Sequence, residues 1–431
     1  MEPETITSFL AIGAIIFIGF FGNMFFNRYR IPDVLLLVML GMAIGPDVLG
    51  QRFGLVTEDA LLSIDQFKDM FLSAALVIIL FDGGLSLDMK VVMESMRLSV
   101  FMSVLTFVAE ISLIAVALHL ILGMDLLVSL ILGAILGGTT GAIVIPIANR
   151  MRIKPQTRSM VIMESVITDV LVIVTALTLI SVAKLGIIDP VNVASELAVK
   201  FLVGAIVGFV AGIAWLFVLD RLHNQPLSYM ITVAALFIVA GVVELPPVGS
   251  SGAVAALAFG LALGNRNFVK RRLPSVKLAT LSDDHIHHFH TEITFFVRTF
   301  FFVYLGLSFR FETFTWIHLT AGLLVASLTS FTRHMTSTLT QKVGGLGNDD
   351  RRTIFALMPK GLSAAVLATL PATQLAGTSI WSADYAPLFL NITLLVILVT
   401  TVIATVLSFR VERNTDRRQR QELRKRFAEE R

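Results

Sequence analysis

The sequence predicts an all-α polytopic membrane protein with about thirteen transmembrane helices, and three observations lead to that prediction. The chain is 55% hydrophobic and only 15% charged, and its mean hydropathy of +0.82 lies well outside the range of soluble globular chains. Roughly thirteen apolar stretches, most of them near the ~20 residues that a spanning helix needs, are separated by short polar turns. Lysine and arginine collect in the loops on one side, as the orientation of membrane proteins requires.

The predicted spans follow one another along the chain, with boundaries good to a few residues. They are 6–26, 31–46, 69–82, 98–121, 125–148, 159–183, 194–219, 226–243, 250–264, 291–308, 316–338, 353–371 and 385–409. The first is preceded by acidic residues and has no small-residue cleavage site, so we expect it to be retained as a helix. An odd number of spans separates the termini, and the positive loops favour an N-terminus outside and a C-terminus in the cytoplasm.

The sequence lacks the residues and motifs that several classes of protein require. The chain contains no cysteine, which excludes disulfides and thiolate metal sites. The longest loop, from Asn265 to His290, and the charged tail, 413–431, are both too short to form a soluble catalytic domain. Phosphate-binding loops, zinc-protease motifs and nucleophile elbows do not occur, so we expect no enzyme and no ATP-driven pump. The net charge of +3 is accounted for by membrane orientation, and we expect no nucleic-acid partner.

Two spans carry residues that weaken a helix at its middle. The fifth contains Gly137, Gly138 and Gly141, and the twelfth contains Pro359 and Gly361. Paired interrupted helices in corresponding positions are typical of transporters with inverted repeats, whose binding site lies between the two breaks near the bilayer midplane. Ordinary close packing of helices through small residues is the alternative interpretation.

Charged side chains at bilayer depth cost at least ~2.5–3.5 kcal/mol each, so those that are present are candidates for function. Within the spans they are Glu110, Glu164, Asp169, Lys200, Arg298, Arg333 and Lys360. The sixth span enters the membrane near Arg158, which places Asp169 about 16 Å deep, close to the midplane. We therefore predict that Asp169 binds the transported ion, although a lone aspartate can also serve as a structural hydrogen-bonding group.

The residues around Asp169 suggest its partners. Ser165 lies one helical turn earlier on the same face, and Thr139 lies in the break of the fifth span at about the same depth. A desolvated sodium ion prefers hard oxygen ligands, so we predict a monovalent cation site formed by Asp169, Ser165 and Thr139. Thr168 completes the predicted set of ion- and proton-binding residues. Further candidates are Thr140, Lys360 and Arg298.

Two other charged groups lie nearer the cytoplasm. Glu164 and Arg333 are about 9 and 8 Å from the inner end of their spans, so we predict that they form an ion pair that supports the site. Lys360, about 10 Å deep, could either extend to the cytoplasmic surface or influence the pore. Glu110 and Arg298 could pair or line a cavity, and no spacing argument connects them.

Four motifs together resemble the cation/proton antiporter family, in particular sodium/proton antiporters of the NhaP type. They are Ile31-Pro32-Asp33 with Gly45-Pro46, Leu80-Phe81-Asp82-Gly83-Gly84-Leu85, Glu164-Ser165-Val166-Ile167-Thr168-Asp169, and Phe302-Val303-Tyr304-Leu305-Gly306-Leu307. The resemblance covers nearly the whole chain. It implies an inverted-repeat antiporter fold in which the two broken helices cross.

The resemblance also implies a division of labour among the helices of a transmembrane domain, 1–412. The core helices would be about 98–183 and 316–409, the dimerisation helices about 6–82 and 226–308, and the linking helix about 194–219. It implies a homodimer in membrane lipid, in the plasma membrane of a prokaryote, that uses no cofactor. Asp169 would carry the transported cation or the proton, and Glu164 would pair with Arg333.

Three departures from the family pattern concern the site. Thr168 stands where the family has Asn, Thr140-Gly141 where it has Asp-Pro, and Lys360 where it has Arg. Because Thr168 supplies no second acid, one carboxylate alternates between one cation and one proton, and we predict electroneutral exchange of sodium or lithium for protons. A potassium/proton antiporter and a cation channel are the alternatives. The histidine run at 285–290 could sense pH or be a solvated loop.

Overall fold

The computed structural model describes residues 33–45, 73–85, 89–185, 190–222, 228–266, 283–307 and 314–429, a few single positions in these ranges excepted, and a few isolated residues besides. Thirteen labelled helices and the further helical segment Ser73–Leu85 are defined in that part of the chain, and no strands. The helices are α1 Asp33–Ile44, α2 Met89–Leu122, α3 Leu126–Leu136, α4 Gly141–Arg150, α5 Pro155–Leu185, α6 Pro190–Arg221, α7 Ser228–Glu244, α8 Gly252–Gly264, α9 Asp283–Leu307, α10 Trp316–Gly344, α11 Asn348–Ala356, α12 Leu362–Gln374 and α13 Tyr385–Glu429.

Four helical segments are long and apolar enough to cross a membrane by length and composition, namely Arg97–Leu122, Pro155–Lys184, Leu202–Arg221 and Tyr385–Arg413. Shorter apolar helices accompany them at Leu35–Ile44, Ser73–Leu85, Leu126–Leu136, Tyr229–Glu244 and Gly252–Gly264. The prediction of an all-α polytopic membrane protein is confirmed. The predicted first span, 6–26, lies mostly outside the described residues.

The chain divides into two compact units. Unit 1 comprises 1–24, 33–94 and 185–313, and unit 2 comprises 25–32, 95–184 and 314–431. In unit 1, helix α8 packs against α6 and α7, and α1 packs against α9. An apolar cluster that includes Phe81, Leu236 and Phe259 fills the space between the segment Ser73–Leu85 and helices α6, α7 and α8.

Small residues allow close helix crossings in unit 1. A Cβ atom on Gly41 of α1 would lie 2.8 Å from the Cα of Gly306 in α9, so only glycine fits on either side. Gly208 of α6 faces Ala255 of α8 in the same way, with the added Cβ only 2.6 Å from the Cα of Ala255. Membrane helices gain little from the hydrophobic effect against each other, and such close backbone packing is what holds them together.

Unit 2 contains two helices that are broken at their middle. The first runs as α3 and α4 with residues 137–140 between them, and the second runs as α11 and α12 with residues 357–361 between them. Helix α12 packs against α3, and α13 packs against α10, α11 and α12. The breaks fall where Gly137, Gly138, Pro359 and Gly361 predicted them.

Several helices extend beyond the spans that hydropathy predicted. Helix α10 continues to Gly344, where Gly345 ends it in the left-handed conformation with φ 60°. Helix α13 continues to Glu429 through most of the predicted tail. The backbone of 285–290 belongs to the first turns of α9, so the interpretation as a loop is wrong for the described backbone. Polar residues can extend a helix into water, which hydropathy does not detect.

Candidate ion-binding site

The candidate site begins at the break between α3 and α4. Gly137 caps the C-terminus of α3, and Thr140 is the N-cap of α4. Helix α5 passes close by, because a Cβ on Gly138 would lie 3.0 Å from the carbonyl oxygen of Thr168. The close approach needs a glycine at that position, and it brings the first turn of α4 beside Asp169.

Asp169 accepts hydrogen bonds from both broken helices. The backbone N–H of Gly141, the first residue of α4, donates to Oδ2 at 3.0 Å. The hydroxyl of Ser363, in the first turn of α12, donates to Oδ1 at 2.6 Å. Both half-helices therefore have their N-terminal, positive dipole ends near this carboxylate, an arrangement that stabilises negative charge. Ser363 was not among the site residues predicted from the sequence, although it lies at about the same predicted depth as Asp169.

Ser165 lies on the same side of the break as Asp169. A Cβ on Gly141 would lie 3.7 Å both from Ser165 Oγ and from Asp169 Oδ2. The Ser165 hydroxyl donates to the carbonyl oxygen of Ile162 at 2.8 Å, which leaves its oxygen lone pairs available to a ligand.

Thr139 and Thr168 contact each other rather than the carboxylate. The Thr139 N–H donates to Thr168 Oγ1 at 3.2 Å, and the two hydroxyl oxygens are 3.4 Å apart. The Thr168 hydroxyl is also within reach of the carbonyl oxygens of Glu164, at 2.9 Å, and Thr139, at 3.3 Å. These contacts fix the break of the first helix against α5.

The two breaks are joined by a backbone hydrogen bond. The N–H of Thr140 donates to the carbonyl oxygen of Pro359 at 3.0 Å. Gly361, the N-cap of α12, lies against the same threonine, since an added Cβ would be 2.7 Å from Thr140 Cβ. Thr140 therefore fixes the crossing of the breaks, while its hydroxyl caps no backbone N–H of α4.

Lys360 lies in the second break and is fully buried. Its Nζ donates to Glu110 Oε2 of α2 at 2.6 Å, and its N–H donates to Thr400 Oγ1 of α13 at 3.1 Å. The alternative that Lys360 extends to the cytoplasmic surface is thus wrong, because pairing inside the protein satisfies its charge. Arg298 is in α9 of unit 1, and its side chain lies outside the described residues.

Glu164 and Arg333 form a bidentate ion pair in the interior of unit 2. Nη1 donates to Oε1 at 2.8 Å and Nη2 donates to Oε2 at 2.9 Å, with both side chains 0% exposed. Arg333 also donates to the carbonyl oxygens of Ile354, at 2.9 Å, and Leu357, at 2.7 Å. These carbonyls belong to the C-terminal end of α11, where a cation complements the helix dipole.

The three acids of this region, of which Glu110 and Glu164 are buried and Asp169 is partly exposed, differ in how their charge is balanced. Glu164 is paired with Arg333, and Glu110 is paired with Lys360. Asp169 receives its hydrogen bonds from neutral donors, a backbone N–H and a serine hydroxyl. With all five groups ionised, the two ion pairs are neutral, and the carboxylate of Asp169 leaves one net negative charge.

A helical membrane protein in which two broken helices cross beside a carboxylate is a secondary transporter with inverted repeats. Residues 13–411 match the transmembrane family of sodium/hydrogen exchangers. The chain belongs to this family of cation/proton antiporters, which are transporters and not enzymes. The recognition of a NhaP-type antiporter from sequence motifs is confirmed.

Two relatives illustrate the similarity in sequence. The K(+)/H(+) antiporter NhaP of Alkalimonas amylolytica is 29% identical over 283 residues, which are 64% of this chain and 46% of that protein. Na(+)/H(+) antiporter 1 of Methanocaldococcus jannaschii is 24% identical over 354 residues, 79% of this chain and 78% of that protein. The chain thus spans less than half of the first relative and about three quarters of the second.

A solved structure shows the same fold. The sodium proton antiporter MjNhaP1 from Methanocaldococcus jannaschii superimposes with a TM-score of 0.76 at 19% sequence identity. The alignment covers 95% of this chain and 99% of that chain. At this level of identity the likeness establishes the antiporter fold, and the roles of individual residues have to be argued from this chain.

Proposed function

We propose that this protein exchanges sodium or lithium for protons across the membrane, electroneutrally, by alternating access at Asp169. The observation that carries the proposal is the carboxylate of Asp169, which is held by two half-helix N-termini and by no positively charged side chain among the described residues. Such a carboxylate can bind a monovalent cation or a proton, and the two compete for it. Competition for one group couples the two fluxes.

The cation would be held by oxygen atoms of unit 2. The carboxylate of Asp169 and the hydroxyls of Ser165 and Ser363 are the nearest candidates, and Thr139 remains a candidate through its carbonyl oxygen. Oxygen ligands of this kind suit a hard monovalent cation such as sodium. Thr168 would position the break, and the pair of Glu164 and Arg333 would support it.

The count of buried charge favours electroneutral exchange. The five ionised groups leave one net negative charge, which one cation or one proton neutralises. A second unpaired carboxylate would have allowed two protons for each sodium. One monovalent cation is therefore exchanged for one proton.

Potassium/proton exchange is the second candidate, because the Alkalimonas relative is described as a K(+)/H(+) antiporter. A channel is the candidate from a different class, with Asp169 as a selectivity site. We place the protein in the plasma membrane of a prokaryote as a homodimer, with its C-terminus in the cytoplasm and its surface in contact with lipid. We expect it to need no cofactor besides the transported ions.

Coupling distinguishes these candidates in proteoliposomes that contain a pH-sensitive dye. We expect an outward sodium gradient to drive protons inward against their own gradient, with lithium replacing sodium and potassium and rubidium giving much less. A flux that only dissipates gradients would indicate a channel. Stronger exchange with potassium than with sodium would assign the protein to the potassium class. We further expect equal exchange rates with and without an imposed membrane potential, and a difference would contradict electroneutrality.

A further inference from the structure

One face of α2 is polar, although it is buried. Ser99, Ser103, Thr106 and Glu110 follow one another at intervals of four, three and four residues, and are 0%, 0%, 1% and 1% exposed. At 100° per residue these four positions fall within about 60° of the helix circumference. The other side of α2 is apolar and exposed, as at Val108, which is 55% exposed.

Three of these buried groups lack the hydrogen bonds that they could form. Ser99 Oγ, Thr106 Oγ1 and Glu110 Oε1 have no partner among the described residues, while the Ser103 hydroxyl donates to the carbonyl oxygen of Ser99 at 2.7 Å. A buried polar group left unpaired costs about 1–3 kcal/mol. Water molecules can satisfy such groups where several of them lie together. A line of hydroxyls that ends at a carboxylate oxygen is suited to conduct protons.

The line leads from the start of the apolar part of α2, near Arg97, towards the segment between α11 and α12. Ser99 is close to Arg97 at the predicted cytoplasmic end, where Leu98 packs against Gly344 at the end of α10. Glu110 is eleven residues further, which corresponds to about 16 Å along the helix. There its other oxygen, Oε2, accepts the hydrogen bond from Lys360.

The charged groups that act on Glu110 are few. Lys360, in the segment between α11 and α12, is its ion-pair partner, and Arg333 of α10 and Glu164 of α5 act on it electrostatically. Since Arg333 and Glu164 neutralise each other, the charge of Lys360 dominates. Lys360 also acts on the carboxylate of Asp169. The charge of Lys360 therefore acts on Glu110 through a direct ion pair and on Asp169 only at longer range.

We propose that Glu110 is a second proton-binding group, connected to the cytoplasmic end of its span near Arg97 by Ser99, Ser103 and Thr106. A proton from water adds to the carboxylate at Oε1 and gives the neutral acid, while the Lys360 ammonium group keeps its charge. That charge then balances Asp169. When a cation binds at Asp169 from the cytoplasmic side, Lys360 again balances the charge of Glu110, and Glu110 releases its proton along these hydroxyls to that side.

This inference rests on the proposed function, because it gives the exchanged proton a second position. Its test needs binding but not turnover. Purified protein in a weakly buffered detergent solution is mixed with saturating sodium chloride, or potassium chloride if sodium has no effect, in a stopped-flow instrument with a pH indicator. Absence of proton release from the unaltered protein with either salt would contradict the proposed function itself.

Thr106→Val tests the route, because valine keeps the shape of threonine and removes the hydroxyl. We expect the same amplitude of proton release at a rate at least three times lower. Ser112→Ala is the matched control, since that exposed hydroxyl of α2 donates to its own helix at the carbonyl oxygen of Val108, and we expect an unchanged rate. A Thr106→Val protein that releases protons as fast as the control would overturn the route.

Glu110→Gln tests the group at the end of the line. We expect a smaller amplitude of proton release with a changed pH profile, and no further slowing when Thr106→Val is added. Superimposable pH profiles for this variant and the unaltered protein would overturn the assignment of Glu110. If Glu110→Gln does not fold, Glu110→Asp with and without Thr106→Val replaces it. Because aspartate keeps a carboxylate at position 110, we expect Thr106→Val to slow proton release in the Glu110→Asp protein as well. An equal rate with and without Thr106→Val would overturn the proposal.

Discussion

At the scale of single residues, the carboxylate of Asp169 differs from the buried acids Glu110 and Glu164 in being held by dipoles alone. The N–H of Gly141 and the hydroxyl of Ser363 stabilise its negative charge without neutralising it. An ion pair would occupy the carboxylate permanently, whereas neutral donors leave room for a cation that comes and goes. This difference is the chemical basis of the proposed exchange.

Asp350, at the start of α11, is by contrast a carboxylate that is paired with a positively charged side chain. It is 4% exposed and accepts hydrogen bonds from Lys154 Nζ at 2.9 Å, Thr157 Oγ1 at 2.7 Å and the N–H of Gly347 at 2.9 Å. Burial acts to raise the pKa of Asp350, but these three donors together hold the pKa below its ordinary value of 3.8. The carboxylate therefore fastens the start of α11 to the loop before α5.

We expect Asp350→Asn to lower the thermal stability of the protein at pH 7, by about the 1.5–3 kcal/mol of a hydrogen bond to a charged group. Because the pKa is lowered in the folded state, this stabilisation is complete above pH 3.8 and is lost as the pH falls through the lower, folded value. The melting temperatures of the variant and the unaltered protein should thus converge in acid.

Asp349→Asn is the matched control, because Asp349 is 44% exposed in a solvent-accessible pair with Arg352. We expect little change in melting temperature for this neighbour. Equal losses for positions 349 and 350, or a loss at 350 that does not depend on pH, would contradict the role given to the buried carboxylate.

The sequence predicts single residues well where depth alone decides and poorly where a distant partner decides. The predicted depths of Glu164 and Arg333 in the membrane are nearly equal, and the two side chains are in contact. Depth also puts Ser363, in the first turn after the break of the twelfth span, at the level of Asp169. Glu110 and Lys360 are 250 positions apart, and only the fold reveals that they meet.

At the scale of helices, the crossing of the two breaks depends on the absence of a side chain at Gly361. We expect Gly361→Ala to abolish transport and to destabilise the protein by about 1–3 kcal/mol, because overpacking displaces neighbouring atoms. The new Cβ would lie 2.7 Å from Thr140 Cβ and 2.8 Å from Thr140 Oγ1. Transport assays in proteoliposomes and melting curves measure the two effects.

Gly241→Ala in α7 is the control, since no atom lies within 4 Å of the position that its Cβ would take. We expect normal transport and stability, with the helix slightly favoured by alanine. Unimpaired transport by Gly361→Ala would show that the breaks do not need this contact.

The membrane-spanning parts of the helices and their breaks were predictable from the sequence, whereas the helix ends in water were not. Apolar length reports where lipid surrounds a helix, and glycine and proline report where its hydrogen bonding weakens, so spans and breaks were both found. Ends that lie in water leave no such signal. Helix α13 therefore continues to Glu429 beyond a predicted limit of 409.

At the scale of the whole molecule, the division into two units agrees with a transporter in which one unit holds the ion. Apart from the predicted Arg298, which is in unit 1, the described residues of the candidate site, from Glu110 to Thr400, belong to unit 2. Unit 1 contains helices that pack through small residues, and we propose that it forms the dimer contact. The charge count of the five ionised groups in the candidate site sets the expected stoichiometry of one cation for one proton.

Sodium-driven proton flux through Asp169→Asn tests the central claim most directly. We expect flux no greater than that of empty liposomes from a variant that elutes and melts like the unaltered protein, because asparagine cannot exchange a cation for a proton. Asp125→Asn, which keeps an N-cap at the exposed start of α3, should transport normally. Coupled exchange retained by a folded Asp169→Asn protein would contradict the account.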